Sequence, residues 1–181
     1  MPLASLPAPI AGRNRMTRKM IVDAIRSDPS WRGGDYGDTQ PTQGLTTALY
    51  VLTWMGSCPL QWQKECPDAA SADAFLDRRV QEGLRTTDAN NLLYQVASSA
   101  DYDPRPLLGR IAAPLTAVNS ADDQVNPPEL GLLEAGIGQV AGGRAVVLPI
   151  SDETRGHGTH TYAALWKDEL VALLERSGGQ L

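Results

Sequence analysis

Two groups of ionisable residues stand at matching places in the second half of the chain. Asp122-Asp123 follows a short apolar run, Leu115 to Val118, and His157 follows a second, Ala145 to Ile150, between Gly156 and Gly158. As neighbouring parallel strands, the two runs would release both loops at the carboxyl edge of the sheet, where α/β proteins collect ligands and reacting groups. Adjacent strands lie about 4.8 Å apart, so an aspartate and a histidine placed this way can meet. A carboxylate that accepts from one imidazole nitrogen fixes the tautomer and leaves the other nitrogen free as a base. Alone, an Asp-rich turn is an ordinary solvated loop or cap, and a histidine in a glycine loop is ordinarily structural. Their position after consecutive strands joins them into an acid–histidine pair awaiting a nucleophile. His157 and His160 also have a spacing that could suit a metal, with Asp122 or Asp123 completing the site. No further His or Cys ligand stands nearby, so no metal is expected.

The nucleophile is missing from the pattern. Gly-x-Ser-x-Gly, which sets a serine on a strained strand-to-helix elbow, occurs nowhere in the sequence. Ser5, Ser98, Ser99 and Ser120 lack that setting, and Cys58 and Cys66 sit in a helical region without a matching strand turn. Two cysteines build neither a disulfide scaffold nor a zinc site. Reduced core thiols are the expectation, with a disulfide between them open in an oxidising compartment. Gly33-Gly34 is no phosphate loop, since no Lys-Ser/Thr follows it and no strand precedes it.

The elements that must position these residues follow from periodicity. Leu3 to Leu6 reads as a short strand entering a proline loop. Met16, Met20, Ile21, Ala24 and Ile25 recur at helical spacing, and that helix should stop at Asp28-Pro29, because a residue before proline avoids the helical region. Trp31 to Gln40 reads as a polar loop, Leu45 to Met55 as an apolar helix closed by Cys58-Pro59, and Leu76, Val80 and Leu84 as one face of a helix beginning near Ser71. Asp88 is a plausible N-cap for a helix with Leu92, Leu93 and Val96. After Tyr102-Asp103-Pro104 the order becomes strand, loop, helix, strand, loop, helix. Pro127 or Pro128 opens the first of these helices, with Leu130, Leu133, Ile137 and Val140 on one face. The last carries Leu165, Trp166, Leu170, Leu173 and Leu174. The stretch between the strands is long enough for a parallel crossover.

Composition sets the outer bounds. The chain has 181 residues, 42% of them apolar, enough for a globular core. Acids outnumber bases 21 to 16, for a net charge of −5. Without a basic run there is no electrostatic footprint for nucleic acid or an anionic membrane surface. No window approaches the roughly 20 apolar residues that cross a bilayer, and Met1 to Ile10 lacks the basic-then-apolar order of a signal peptide. The cytoplasm is the default location, with a secreted or periplasmic place left open.

Three stretches resemble homoserine O-acetyltransferases, which are α/β-hydrolase-fold acyltransferases. Asp28-Pro-Ser-Trp31-Arg-Gly33-Gly34-Asp-Tyr36, followed by Pro41-x-x-Gly44-Leu45, resembles the segment after their core strand. Val118-Asn-Ser-Ala-Asp-Asp123-Gln-Val-Asn-Pro-Pro-Glu129 resembles their catalytic-acid loop, and Arg155-Gly-His157 their histidine loop. The resemblance spans essentially the whole chain. It implies a partial α/β-hydrolase fold of class α/β, with C-terminal parallel strands, flanking helices and a helical lid insertion. Residues 1–13 would be a core strand and loop, 14–104 the lid, and 105–181 the C-terminal core. It further implies Asp123 as catalytic acid and His157 as base. Asp123 is preferred over Asp122 because the family places its acid four residues before the first proline, here Pro127. The serine, the first oxyanion-hole groups and most of the sheet would lie upstream, so the chain is expected to be inactive alone.

The sequence departs from the family at three of its substrate contacts. Leu49 stands where the family has an arginine for the homoserine carboxylate, Gly56 where it has a tyrosine, and Gly158 where an aspartate receives the substrate amine. An apolar leucine cannot pair a buried carboxylate. The resemblance therefore implies acyl transfer to water or to an acceptor less polar than homoserine. The substrate would be a small-molecule ester or thioester. No cofactor is expected, with acyl-CoA open as an acyl donor. The expected partners are the missing N-terminal half, in cis or in trans, and a second copy bound through lid helices such as Leu45 to Met55. Aggregation through an uncovered sheet edge is also expected of the chain on its own.

Overall fold

The computed structural model describes residues 1–178. Seven α-helices and two strands are assigned there: α1 (Gly12–Ser27), α2 (Thr42–Met55), α3 (Pro59–Glu65), α4 (Ala69–Thr86), α5 (Ala89–Ala97), β1 (Leu115–Ser120), α6 (Leu132–Ile137), β2 (Gly143–Leu148) and α7 (Lys167–Arg176). The chain divides into two compact units. One holds residues 1–9, 56–61 and those from 102 onward; the other holds residues 10–55 and 62–101. Among the described residues no helix is long and apolar enough to cross a membrane.

The first unit is built on β1 and β2, which pair in parallel from Leu115 opposite Gly143 to Ser120 opposite Leu148. The strands end level, so the loops carrying Asp123 and His157 start from the same edge. Ala117, Leu133 and Ile137 form the buried centre between sheet and α6, with Leu6, Leu115, Ala145 and Val147 against them. Arg176 at the end of α7 donates to the carbonyls of Gly142 (2.9 Å) and Leu115 (3.3 Å) and to the Thr116 hydroxyl (2.9 Å), tying the last helix to the start of both strands.

Three expected elements take a different form. Leu3 to Leu6 is not a strand: only Leu3 makes a parallel bridge, to Val118. The Val118 N–H donates to the Pro2 carbonyl and the Ala4 N–H to the Val118 carbonyl. Ala4 then turns to φ +49°, a left-handed conformation that ends extended pairing. The single helix expected from Pro127 or Pro128 to Val140 is broken into a 3-10 turn, Pro128–Leu130, and α6, because Gly131 between them sits at φ +64°. Leu130 is consequently exposed while Leu133 and Ile137 are buried. The last helix starts only at Lys167. Leu165 and Trp166 belong to the turn before it, and Leu173 is buried while Leu174 is exposed.

The second unit is helical. Ile21 and Ile25 of α1, Leu45 and Leu49 of α2, and Leu92 and Leu93 of α5 are buried together. α1 ends where Asp28-Pro29 requires it to. The Asp28 carboxylate caps the following 3-10 turn, Pro29–Gly34, by accepting from the Ser30 N–H at 2.8 Å, and reaches α2 by accepting from the Gly44 N–H at 2.8 Å. A Cβ on Gly44 would lie 2.5 Å from the Ala24 carbonyl oxygen, so only glycine allows this approach of α1 and α2. Asp88 caps α5 by accepting from the Asn91 N–H, and also takes the Tyr36 hydroxyl at 2.6 Å. The expected polar loop from Trp31 to Gln40 is thus partly a 3-10 turn. Asn90 holds it through the Trp31 indole N–H and the Gly34 carbonyl.

Residues 56–61, the turn after α2 and the start of α3, group with the sheet unit rather than with the other helices. The reason is polar rather than hydrophobic. Cys58 bonds Asp122 and Thr154, and the Gln61 amide donates to the carbonyls of Asp152 (2.8 Å) and Thr154 (2.9 Å).

Candidate active site

β1 ends at Ser120 and the chain turns at once, with the Asp123 N–H donating to the Ser120 carbonyl. The turn buries the Asp123 side chain completely. One carboxylate oxygen, Oδ1, accepts from the backbone N–H groups of Val125 (2.8 Å) and Asn126 (3.0 Å). The other, Oδ2, lies 2.9 Å from His157 Nδ1. An ionised carboxylate only accepts, so Nδ1 carries the proton and a neutral His157 keeps its lone pair on Nε2. The His157 ring is about one-third exposed, at 32%, so Nε2 belongs to a group that a reactant can approach.

Asparagines hold the acid turn. Asn119 donates from Nδ2 to the Asn126 carbonyl (2.8 Å), and Asn126 donates from Nδ2 to the Ala4 carbonyl (2.7 Å). Asn119 Oδ1 is buried and has no hydrogen-bond partner among the described residues. Asn119 is among the residues that line a small cavity with Ser120, His157, His160 and Trp166.

The loop before His157 is held as firmly. Gly156 sits at φ +56°, and a Cβ there would come within 3.2 Å of the backbone oxygens of Asp122 and Ser57. The Arg155 N–H donates to the Thr159 hydroxyl (2.8 Å), and the Arg155 guanidinium lies 4.2 Å from the centre of the Tyr162 ring. His160 lies in the 3-10 turn Gly158–Thr161. It joins the site through the backbone of His157. Its Nδ1 is 2.5 Å from the His157 carbonyl oxygen, which makes Nδ1 the protonated nitrogen. The two rings meet edge to face at 5.4 Å. Trp166 Nε1 donates to the His160 carbonyl at 3.0 Å.

Asp122, the other acid of the pair, does not bond His157. Its carboxylate accepts from the Ser120 hydroxyl at 2.5 Å and from the Cys58 thiol at 3.4 Å. Burial alone would push its carboxyl up. Hydrogen bonds from Ser120, the Gly156 N–H, Thr154 and Cys58 outweigh burial and hold it below the usual range. Burial, reinforced by Asp122, pushes the Cys58 thiol up. Cys58 is therefore a buried protonated donor and not an activated thiolate. Both cysteines are free.

The structure thus brings Asp123 to His157 and leaves Asp122 to a separate network. Sequence reasoning missed Asn119 and Asn126, although Asn126 directly precedes the prolines used to choose the acid. It also missed Cys58, which lies 64 residues from Asp122 and shares no motif with it. Leu49, the departure expected at a substrate contact, is a core residue. It is 6% exposed and packs where a Cβ on Gly83 would touch its methyl groups at 2.8 Å. Trp54 of α2 is 73% exposed.

This is a partial α/β-hydrolase fold, with a small parallel sheet and flanking helices, and a separate helical unit earlier in the chain. It is similar to a homoserine O-acetyltransferase from Bacillus anthracis at 18% identity, covering 99% of this chain and 53% of that one, with a TM-score of 0.82. An acetylester hydrolase from Corynebacterium glutamicum matches at 18% identity over 96% of this chain and 53% of its own, with a TM-score of 0.79. A homoserine O-acetyltransferase from Staphylococcus aureus matches at 14% identity over 95% and 49%, with a TM-score of 0.71. The chain spans about half the length of these structures. No protein-family model matches the sequence, and no curated protein matches it.

Proposed function

We propose that this chain is the acid–base half of an α/β-hydrolase-fold serine hydrolase or acyltransferase, its serine supplied by sequence outside these residues. The reading is carried by the buried Asp123 carboxylate bonding His157 Nδ1 at 2.9 Å, on the loops that leave the level ends of β1 and β2. The absence of a serine elbow from the sequence and the half-length match to acyl-transferring and ester-cleaving enzymes support it.

The chemistry is two-step acyl transfer. His157 Nε2 takes the proton of the serine hydroxyl as its oxygen attacks an ester or thioester carbonyl. The imidazolium returns that proton to the departing alcohol or thiol as the carbon–oxygen or carbon–sulfur bond breaks. Nε2 then takes a proton from water or an acceptor alcohol as its oxygen attacks the acyl carbon, and returns that proton to the serine oxygen as the acyl–serine bond breaks. Asp123 stays ionised and stabilises the imidazolium in both steps. Gly56 and Gly158, at two of the positions named above, favour an acceptor other than homoserine; Leu49, buried in the helical core, has no part in that choice.

The test is co-expression with the polypeptide encoded directly upstream of Met1, joined or separate, and assay on short-chain acyl nitrophenyl esters. The chain alone is expected to be silent, and the combination to turn over in a way that His157→Ala abolishes. Rapid, His157-dependent turnover by the chain alone would refute the external-serine reading. Failure of the combination to co-purify or turn over would refute the acid–base reading.

One observation favours a second reading, a self-associating module without catalysis: α2 exposes Tyr50, Leu52 and Trp54. Light scattering that returns a clean monomer removes it.

A further inference from the structure

We propose that Asp122 is a positioning residue. Its carboxylate, gripped by Ser120 and the Cys58 thiol, anchors the loop before His157 and so presents the imidazole to Asp123. Asp122 is 7% exposed, and an ionised carboxylate at such a place has to be fully engaged to be tolerated. Its partners come from two separate segments, Ser120 Oγ at the end of β1 and Cys58 Sγ in the 56–61 segment. Cys58 also points its thiol at the Thr154 carbonyl, 3.7 Å away, and Gln61 donates to the same oxygen at 2.9 Å.

The consequence is a division of labour between consecutive residues. Asp123 bonds the imidazole itself. Asp122 holds Cys58, whose thiol also faces the Thr154 carbonyl, and Gly156 packs against the Asp122 carbonyl oxygen at φ +56° with no room for a side chain. With Thr154 and Gly156 fixed, the Cα of His157 has little freedom, and its ring meets Asp123 without a search. Charge at Asp122 strengthens both bonds, because hydrogen bonds to an ionised acceptor are stronger than those to a neutral one. Cys58 serves as a donor that occupies a buried apolar site, which explains a cysteine with no reactive role.

The significance of this device rests on His157 acting as a base, but its test does not need turnover. In the nitrogen-15-labelled chain, the exchange of the His157 Nδ1–H with water is compared with that of backbone amides in β1. Asp123→Asn is the reference for loss of the pair. Asp122→Ala is expected to speed His157 N–H exchange on the order of tenfold or more, the scale of a lost charged hydrogen bond, relative to the β1 amides. Cys58→Ala is expected to speed it by a smaller factor, and Cys58→Ser, which restores a donor, to return it toward the native value. An Asp122→Ala chain that folds and keeps native His157 exchange overturns the proposal. If Asp122→Ala does not fold, the cysteine pair decides: an unchanged rate in Cys58→Ala, or no recovery in Cys58→Ser, overturns it. A wild-type chain with no protected His157 N–H overturns it as well. A protected, Asp122-dependent N–H with no turnover in the combined enzyme would leave this inference standing and refute the acid–base reading instead.

Discussion

Asp123 Oδ2 and His157 Nδ1, 34 residues apart in sequence, stand 2.9 Å apart. The contact follows from strand register: Ser120 is paired with Leu148, so both loops begin at one height on adjoining strands. It also follows from occupancy. Val125 and Asn126 fill Oδ1 with two backbone N–H groups, leaving Oδ2 for the imidazole. The Asp123 carboxylate therefore has two functions that mutations can separate, holding its own turn and orienting His157.

In the combined enzyme, Asp123→Asn and Asp123→Ala are expected to lower kcat to a similar extent, on the order of 10⁴-fold, because both lose the acceptor that fixes the His157 tautomer. They are expected to differ in stability. Asn retains an oxygen for Val125 and Asn126, whereas Ala leaves those N–H groups buried without a partner, at about 1–3 kcal/mol. Urea unfolding beside steady-state kinetics checks this. Equal stability of the two variants would show that the turn does not depend on Oδ1.

Gly136 of α6 lies against Pro7, and a Cβ there would sit 2.4 Å from the proline Cγ. Gly136→Ala is expected to destabilise the sheet unit by about 1–3 kcal/mol through overpacking, despite the better helix propensity of alanine. Gly131→Ala provides a contrast, because open space surrounds Gly131 and its loss arises from the positive φ alone. Chemical denaturation of both variants tests the pair. A stabilised Gly136→Ala would mean that the Pro7 segment moves aside.

Much of this arrangement is legible in the residues because its causes are local. Pro29 stops α1, Asp88 caps α5, and the two apolar runs before Asp122 and His157 become paired strands. The choice of Asp123 over Asp122 had no such local cause; it rested on the resemblance to homoserine O-acetyltransferases, whose acid stands four residues before the first proline. What escaped notice was either conformational or distant in sequence. Gly131 could end a helix or sit within one, and only packing of Leu133 and Ile137 onto the sheet selects the break. The Leu3 segment has strand-like residues, but the positive φ of Ala4 limits it to one bridge. Cys58 was read with the helices around it, whereas its hydrogen bonds lie with Asp122 and Thr154. No periodicity encodes a contact of that range.

Asp28 supports the helical unit alone, accepting from Ser30 N–H on Oδ1 and Gly44 N–H on Oδ2. The Gly44 bond is the main cause of its carboxyl being held below the usual range. Asp28→Ala is expected to cost about 1–3 kcal/mol, the scale of a buried donor left unpaired plus a lost cap. Asp28→Asn is expected to fall between, since its amide offers one accepting oxygen for two donors. Thermal unfolding followed by circular dichroism at helical wavelengths provides the check, and an Asn variant worse than Ala would contradict this account of the cap.

Acid sensitivity offers a final test of the Asp122 network. Its folded carboxyl titrates below the usual range, so the unfolded chain binds its proton first as pH falls. The stability this contributes is fully present above the unfolded value of about 3.9. It is lost as pH drops through the lower folded value. Asp28 and Asp88 are shifted in the same direction, so the wild-type acid limb is collective, and Asp122 must be isolated by difference. Asp122→Asn has no carboxyl to protonate. Its deficit relative to wild type is therefore expected to be largest at neutral pH and to shrink below about pH 3.9. Urea midpoints for both proteins across that interval measure the gap. A gap that stays constant, or widens toward acid, would mean that the Asp122 charge does not stabilise the fold and that its partners serve only to fill space.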